Sequence, residues 1–261
     1  MPKEFTSEPN AQESAVIAGR NAVTEALKKA RPIDCIYILK GADRGSVGKI
    51  IALAKERGVP VKDAAAQKLD ALCGGVVHQG VAAMAACHDF STMEDIFAKA
   101  GDQPPFVIIC DNIEDPHNLG AIIRTAEAAG AHGVIIPKRR GVGLTATVAK
   151  TSAGAVEYMP VVRVANIVST IEELKQKGLW IFCADMDGKP WCSADMGGPI
   201  GIVVGAEGSG VSRLTKEHCD FVVSLPMNGQ VNSLNASVAA AIVIYEAVRQ
   251  RSGLPAFTSN K

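Results

Sequence analysis

The chain has 261 residues, 48% of them hydrophobic and 21% charged, with 27 basic against 27 acidic side chains. That is enough apolar sequence for one large α/β domain or two smaller ones, and it excludes general disorder. A net charge of zero excludes the uniformly basic character usual in nucleic-acid binders, so any polyanion contact has to rest on local charge.

Residues 1–15 read as a flexible tail, polar and mixed in charge, neither a secretory signal nor a membrane anchor. No apolar run approaches the length of a membrane span, so a soluble cytoplasmic protein is expected. From Arg20 to Lys62 ten Lys/Arg face four Asp/Glu, whereas Asp63 to Asp115 holds two against nine. Both stretches suit solvated faces, and the first also suits a grip on a polyanion. Gly19 to Leu27 reads as a helix start with Val23, Ala26 and Leu27 on one face. Ile33 to Leu39 is a strand, Val47 to Arg57 a helix and Val59 to Val61 a short strand. A helix near Ala64 to Leu72 leads to a strand edge at His78 to Ala83. Alternating elements of this size make a small α/β module over residues 16–88.

Two false leads lie in this half. Gly41 to Lys49 hints at a phosphate loop, but Asp43 stands where glycine is needed and Ile50 where Ser or Thr is needed. Cys87-His88 has no partner cluster and reads as a core cysteine beside a surface histidine. The seven cysteines show no CxxC spacing, which points to reduced thiols and no metal. Residues 89–104, with a short helical run, Gly101 and Pro104-Pro105, read as an interdomain linker.

A second domain is expected over residues 105–261. Strand Phe106 to Cys110 leads through a loop to helix Leu119 to Ala129, which buries Ile122, Ile123 and Ala126 and stops at a left-handed Gly130. Asn118 at its mouth suits an N-cap. Arg124, between core-facing Ile123 and Ala126, either projects to solvent or reaches into a site. Strand Val134 to Ile136 ends at Lys138-Arg139-Arg140, a triplet suited to phosphate. A small-residue segment, Thr145 to Ala155, precedes strand Val161 to Val164, helix Asn166 to Lys177 and strand Leu179 to Cys183. The loop Asp185 to Pro199 holds Trp191, which either stacks a base or packs on its own domain.

Strand Ile200 to Val204 opens into Gly205-Ala206-Glu207-Gly208-Ser209-Gly210. Strand Phe221 to Leu225 stops at Pro226 and a polar loop. Ser233 then begins a long helix with Val238, Ala241, Ile242, Tyr245 and Val248 at helical spacing. Two strands ending side by side at glycine loops make a small-molecule site recognised through backbone groups, with one acid, Glu207, inside. A nicotinamide site is excluded: GAEGSG is not G-x-G-x-x-G, and no acid stands ~20 residues beyond it.

GAEGSG, SLPM and NSLNAS, with DPHNLGAIIRTAEAAG at Asp115 to Gly130, resemble the three motifs of the SpoU/TrmH family of RNA ribose 2′-O-methyltransferases. GRNAV and HQG resemble the substrate-binding module of its rRNA-modifying branch, similar to the ribosomal protein L30e fold. The resemblance implies a C-terminal SPOUT domain with a mostly parallel sheet and a deep trefoil knot, preceded by that small α/β domain. It implies S-adenosylmethionine as cofactor, RNA as substrate and a homodimer. The residues alone give an ordinary open α/β sheet, since true knots are nearly absent from proteins. Within the family the layout is most similar to enzymes that methylate a guanosine of large-subunit rRNA. A tRNA substrate, or a catalytically silent RNA-binding assembly protein, is the alternative.

Carried onto this chain, the cofactor positions are Gly205, Leu225 and Leu234, with Met227 as a wall of the adenine pocket; Leu225 and Leu234 also suit the core. The implied catalytic residues are Arg124, Asn118, Glu207, Ser233 and Asn235. A guanidinium stays protonated, so Arg124 reads as stabiliser of the developing alkoxide and clamp on a neighbouring phosphate, with a direct base role as the alternative. Glu207 either orients Arg124 or buttresses its loop.

Overall fold

The structure, a computed structural model, describes residues 16–29, 31–85, 88–230 and 232–255; the expected tail over 1–15 and Cys87 lie outside them. The described chain up to Asp89, with Gly143–Ala146, forms one unit, and Phe90–Val142 with the chain from Thr147 onward forms a second.

The first unit comprises β1 (Val16–Ala18), α1 (Arg20–Lys28), β2 (Ile33–Leu39), α2 (Arg44–Glu56), β3 (Val61–Ala64), α3 (Ala66–Cys73) and β4 (Val81–Ala85). Its sheet runs β1-β4-β2-β3, with β4 antiparallel to both neighbours and β2 parallel to β3. The strand expected at Val59 to Val61 therefore begins where that stretch ends, and β1 had no sequence expectation. GRNAV and HQG meet here: Gly19 N–H donates to the Val81 carbonyl at 2.9 Å, and Arg20 Nε to the Gln79 carbonyl at 3.0 Å. The rejected phosphate loop is the start of α2, capped by Asp43, whose carboxylate accepts from Gly45 N–H at 3.2 Å. A carboxylate thus holds the amide a phosphate would need.

The second unit comprises α4 (Met93–Ala100), β5 (Phe106–Asp111), α5 (Pro116–Ala128), β6 (Gly133–Pro137), α6 (Ala146–Thr151), β7 (Val161–Val164), α7 (Ile167–Gln176), β8 (Trp180–Pro190), β9 (Ile200–Gly205), α8 (Arg213–Glu217), β10 (Phe221–Ser224) and α9 (Ala236–Arg251). The sheet order is β10-β8-β9-β5-β6-β7, every pairing parallel. All residues of β5 and β9 are buried, because helices cover both faces. Val107 and Ile109 share one cluster with Ile96 of α4 and Ile167, Ile171 and Leu174 of α7. Phe106 points the other way, where Arg251 of α9 lies 5.2 Å from its ring centre, and α5 packs on α9.

Three expectations change. The stretch 89–104, expected as a linker, contains α4, closed by a capping box between Thr92 and Asp95; its Ile96 is fully buried in the core of the second unit. The loop expected from Asp185 continues β8 to Pro190, where Lys189 and Pro190 pair with Val223 and Ser224 after a register shift. Only glycine fits at 188, since a Cβ there would sit 2.5 Å from the Val223 backbone carbon. Finally, α9 begins at Ala236 rather than Ser233, because Asn235 supplies the cap. Its buried residues include Ala240, Val243, Ile244 and Ala247, while Val238, Ile242 and Tyr245 of the apolar stripe noted in the sequence are exposed.

Candidate active site

A cleft opens where β9 and β10 end, beside Ala184 to Met186 in the middle of β8, at the edge where parallel sheets present ligand loops. Gly205, Leu225, Met227 and Leu234 all line it. Leu225 is half-buried, and Met227 and Leu234 are each 36% exposed, so these side chains wall the cleft rather than fill a core. The turn after β9 folds back on itself, Ala206 and Gly210 exchanging backbone hydrogen bonds of 3.1 and 2.9 Å. Gly208 (φ 83°) and Gly210 (φ 65°) supply the left-handed backbone it needs.

Sequence reasoning missed Asp185, Met186 and Asn232, which also line the cleft. Asp185 and Met186 follow Ala184, which pairs with Val204, so strand order alone places them beside Gly205. Lys216 Nζ bonds Asp185 at 3.0 Å and Asp187 at 3.1 Å. Burial pulls the Lys216 pKa down, but its bonds to the two carboxylates outweigh that and leave it above the usual lysine range. It stays cationic and neutralises the wall.

Beside the cleft, side chains from three distant segments meet. Asp115, not Asn118, caps α5 by accepting from His117 N–H at 2.9 Å, with Pro116 at the first helical position. Asn118 is thereby free to turn inward, where it is 5% exposed. Asn235 Nδ2 donates to Asn118 Oδ1 at 2.9 Å, and both amide nitrogens reach Glu207 Oε2 at 3.4 Å. Capping fixes which way Asn235 faces: its Oδ1 accepts from Ser237 Oγ at 2.6 Å and Ser237 N–H at 3.0 Å, which turns Nδ2 toward the network. Ser233 lines the first cleft.

Arg124 is exposed on α5, with no hydrogen-bond or ion-pair partner among the described residues, and lines neither this cleft nor the next. In the single chain it takes the solvent-facing alternative, and Glu207 is bonded to Asn118 and Asn235 instead. A second cleft shares Ala206, Glu207 and Ser209 with the first and is walled by Asn112, Glu114, Asn118 and Arg140.

The thiols nearby are not poised as nucleophiles. Burial, then the Asp111 carboxylate, raises Cys110 to about 12; a hydrogen bond with Cys219, then burial, raises Cys183. Among the described residues no group of three or more His, Cys, Asp or Glu could hold a metal ion, and no helix is long and apolar enough to cross a membrane.

Residues 105–245 match the model of the SpoU rRNA Methylase family, and residues 16–90 that of the RNA 2′-O ribose methyltransferase substrate-binding domain. YacO of Bacillus subtilis, assigned by name to the TrmH family of tRNA/rRNA methyltransferases, is 44% identical over 244 residues, covering 92% of this chain and 98% of its own. A protein of the same designation from Staphylococcus saprophyticus is 46% identical over 243 residues, 92% of this chain and 97% of its own. Among solved structures, the SpoU methyltransferase AviRb from Streptomyces viridochromogenes superposes with a TM-score of 0.60 at 24% identity, covering 93% of this chain and 91% of its own. The AdoMet-bound rRNA methyltransferase of Sinorhizobium meliloti gives 0.56 at 22% identity, covering 93% and 88%. The A. aeolicus TrmH/SpoU tRNA modifying enzyme gives 0.52 at 29% identity, covering 60% and 83%.

Proposed function

Because the chain belongs to the SpoU rRNA methylase family and so is an RNA methyltransferase, we propose that it moves a methyl group from S-adenosylmethionine to a ribose 2′-hydroxyl of RNA. The observation that carries this reading is the closure of Asn118, Glu207 and Asn235 into one network beside a cleft lined by Gly205, Leu225, Met227 and Leu234. The cleft fits the cofactor in kind: apolar side chains for the adenine, and backbone from a tight glycine turn for its polar edges. When bound, the cofactor supplies an electrophilic methyl group on its sulfonium.

The chain's own residues then position the acceptor. Glu207 Oε2 is engaged by two amides, which leaves Oε1 to accept the hydrogen bond of the ribose hydroxyl and to receive its proton as the oxygen gains the methyl group, while Asn118 and Asn235 hold that carboxylate in place. Ser233, on the cofactor side, contacts the ribose or donor. Holding hydroxyl and methyl carbon in line supplies roughly 7–11 kcal/mol of the barrier. Arg124 acts as electrostatic stabiliser and phosphate clamp in a partner's site. The supporting feature is the exposed stripe Val238, Ile242 and Tyr245 on α9, packed beside α5, which we read as a homodimer face. The trefoil knot expected of the C-terminal domain belongs to the same reading, supported by the match of residues 105–245 to the SpoU rRNA Methylase family.

Residues 16–88 serve as the RNA grip, supported by their excess of basic residues between Arg20 and Lys62. Their presence favours a guanosine of large-subunit rRNA over tRNA as substrate, and cytoplasm as the place of work. The intact polar network disfavours a catalytically silent assembly protein. Ribose methylation mapped in rRNA and tRNA from cells with and without the gene tests this. Loss of one 2′-O-methyl guanosine from large-subunit rRNA is expected. Loss from tRNA moves the substrate, and loss from neither contradicts the function.

A further inference from the structure

We infer that the second cleft seats the target nucleobase, and that Glu114 selects guanine in it. The inference rests on the ribose-methylation reading above and deepens it. Asn118 and Glu207 belong to the wall of this cleft as well as to the catalytic network. A ribose whose hydroxyl meets Glu207 must hang its base to one side. The first cleft is taken by the methyl donor, so the base enters the second.

The chemistry of the lining says which base. Glu114, Asp115 and Glu207 contribute three carboxylates against the single guanidinium of Arg140, so the cleft repels phosphate and accepts hydrogen-bond donors. Two of the carboxylates are committed: Asp115 caps α5, and Glu207 holds the two asparagines. Glu114 is exposed and has no hydrogen-bond or ion-pair partner among the described residues. A carboxylate presents only acceptors. Guanine alone offers two adjacent donors on its Watson–Crick edge, N1–H and the 2-amino group. Adenine and cytosine pair one donor with an acceptor, and uracil sets its N–H between two carbonyls. Recognition along that edge requires an unpaired nucleotide, as RNA readers generally do.

The backbone holds this arrangement in place. Asn112 (φ 59°) and Arg140 (φ 57°) are non-glycine residues in the left-handed region on the walls of one cleft, a costly conformation that persists where a site is over-determined. Val142 N–H donates to the Ile113 carbonyl at 2.9 Å, tying the loop of Glu114 to the loop of Arg140. Arg140, following Lys138 and Arg139, then sits at the cleft edge to take the flanking phosphate.

The test uses the full-length protein and a synthetic RNA spanning its mapped site, with guanosine or inosine at the target, since inosine lacks the 2-amino group. Wild type is expected to yield 2′-O-methylguanosine and to lose about 10- to 100-fold in kcat/KM on inosine, the range for a hydrogen bond to a charged group. Glu114→Ala should lose more than that factor on guanosine, because the N1–H contact goes with the 2-amino contact, and should no longer distinguish guanosine from inosine, with cofactor affinity and melting temperature unchanged; Glu114→Gln should fall between. Glu114→Ala that keeps the wild-type preference for guanosine over inosine overturns the assignment, as does a methylated product other than 2′-O-methylguanosine. Wild type that labels no ribose at all sinks the methylation reading itself, and that outcome is distinct because it appears before any variant is made.

Discussion

Replacing Gly205 by alanine probes how the cofactor cleft is built. The added Cβ would lie 2.1 Å from the Gly210 carbonyl carbon, 2.2 Å from Val211 N and 2.3 Å from the Gly210 oxygen. All three are main-chain atoms, so no side chain can swing aside. Either β9 shifts, or the turn opens and loses the two bonds between Ala206 and Gly210. Overpacking of this kind costs roughly 1–3 kcal/mol, and we place Gly205→Ala near 3 because backbone yields least. That corresponds to a fall in melting temperature of about 6–12 °C for a domain of this size. A cofactor site formed by the same turn should weaken by about 100-fold. Calorimetric melting, with titration of S-adenosylhomocysteine, reads both quantities. Gly198→Ala is the control, because a Cβ there meets nothing within 4 Å, and it should stay within about 0.5 kcal/mol of wild type. If Gly205→Ala melts and binds like Gly198→Ala, the close-approach reasoning is wrong.

Ile242→Glu, on the exposed stripe of α9, should convert a dimer to a monomer in sedimentation and abolish methylation. Arg124→Ala should lose activity by orders of magnitude with cofactor binding intact. Activity that returns on mixing Arg124→Ala with Asn118→Ala would show that the arginine serves the partner's site. Glu246 is 7% exposed, and its hydrogen bond from Arg249 outweighs burial to hold the carboxyl below its ordinary value. Its folded pKa is thus depressed, so its stabilisation is full above the unfolded carboxylate range and lost as pH falls through the folded value. Glu246→Gln should flatten the melting temperature's acid dependence below about pH 4.5. A fragment of residues 90–261 should melt above one of residues 105–261, because the shorter piece lacks fully buried Ile96, a loss of about 2–5 kcal/mol for a large apolar side chain.

The buried strands were legible because their residues leave no choice. Phe106 to Cys110 and Ile200 to Val204 fall within β5 and β9, apolar runs buried along their whole length in the middle of the sheet. The end of β8 was hidden because Asp185 to Pro190 is polar, and its pairing with Val223 and Ser224 depends on a register shift made far away in the chain. On α9 the helical period was legible but the buried face was not. Its buried Ala240, Val243, Ile244 and Ala247 are as apolar as its exposed Val238 and Ile242, so spacing cannot say which side meets the core. Asn118 suited an N-cap in the sequence, yet Asp115 holds that place and frees Asn118 for the network. The four expected cofactor positions came from motif resemblance, and Asp185, Met186 and Asn232 escaped because no local signal marks them. Glu114 escaped for the same reason, and Arg140 stood out only as part of a triplet suited to phosphate: the tied loops reveal that the two share a cleft.

On the proposed function, the network of Asn118, Glu207 and Asn235 serves methyl transfer rather than cofactor binding or folding. Single-turnover transfer of labelled methyl to unmodified rRNA, by wild type, Asn118→Ala and Glu207→Gln, measures this directly when cofactor affinity is titrated in parallel. Rates lowered by at least about 100-fold are expected, the scale of losing a positioned catalytic group, with cofactor affinity within about threefold of wild type. Variants that transfer at the wild-type rate, or that lose rate only in proportion to lost cofactor binding, would contradict it.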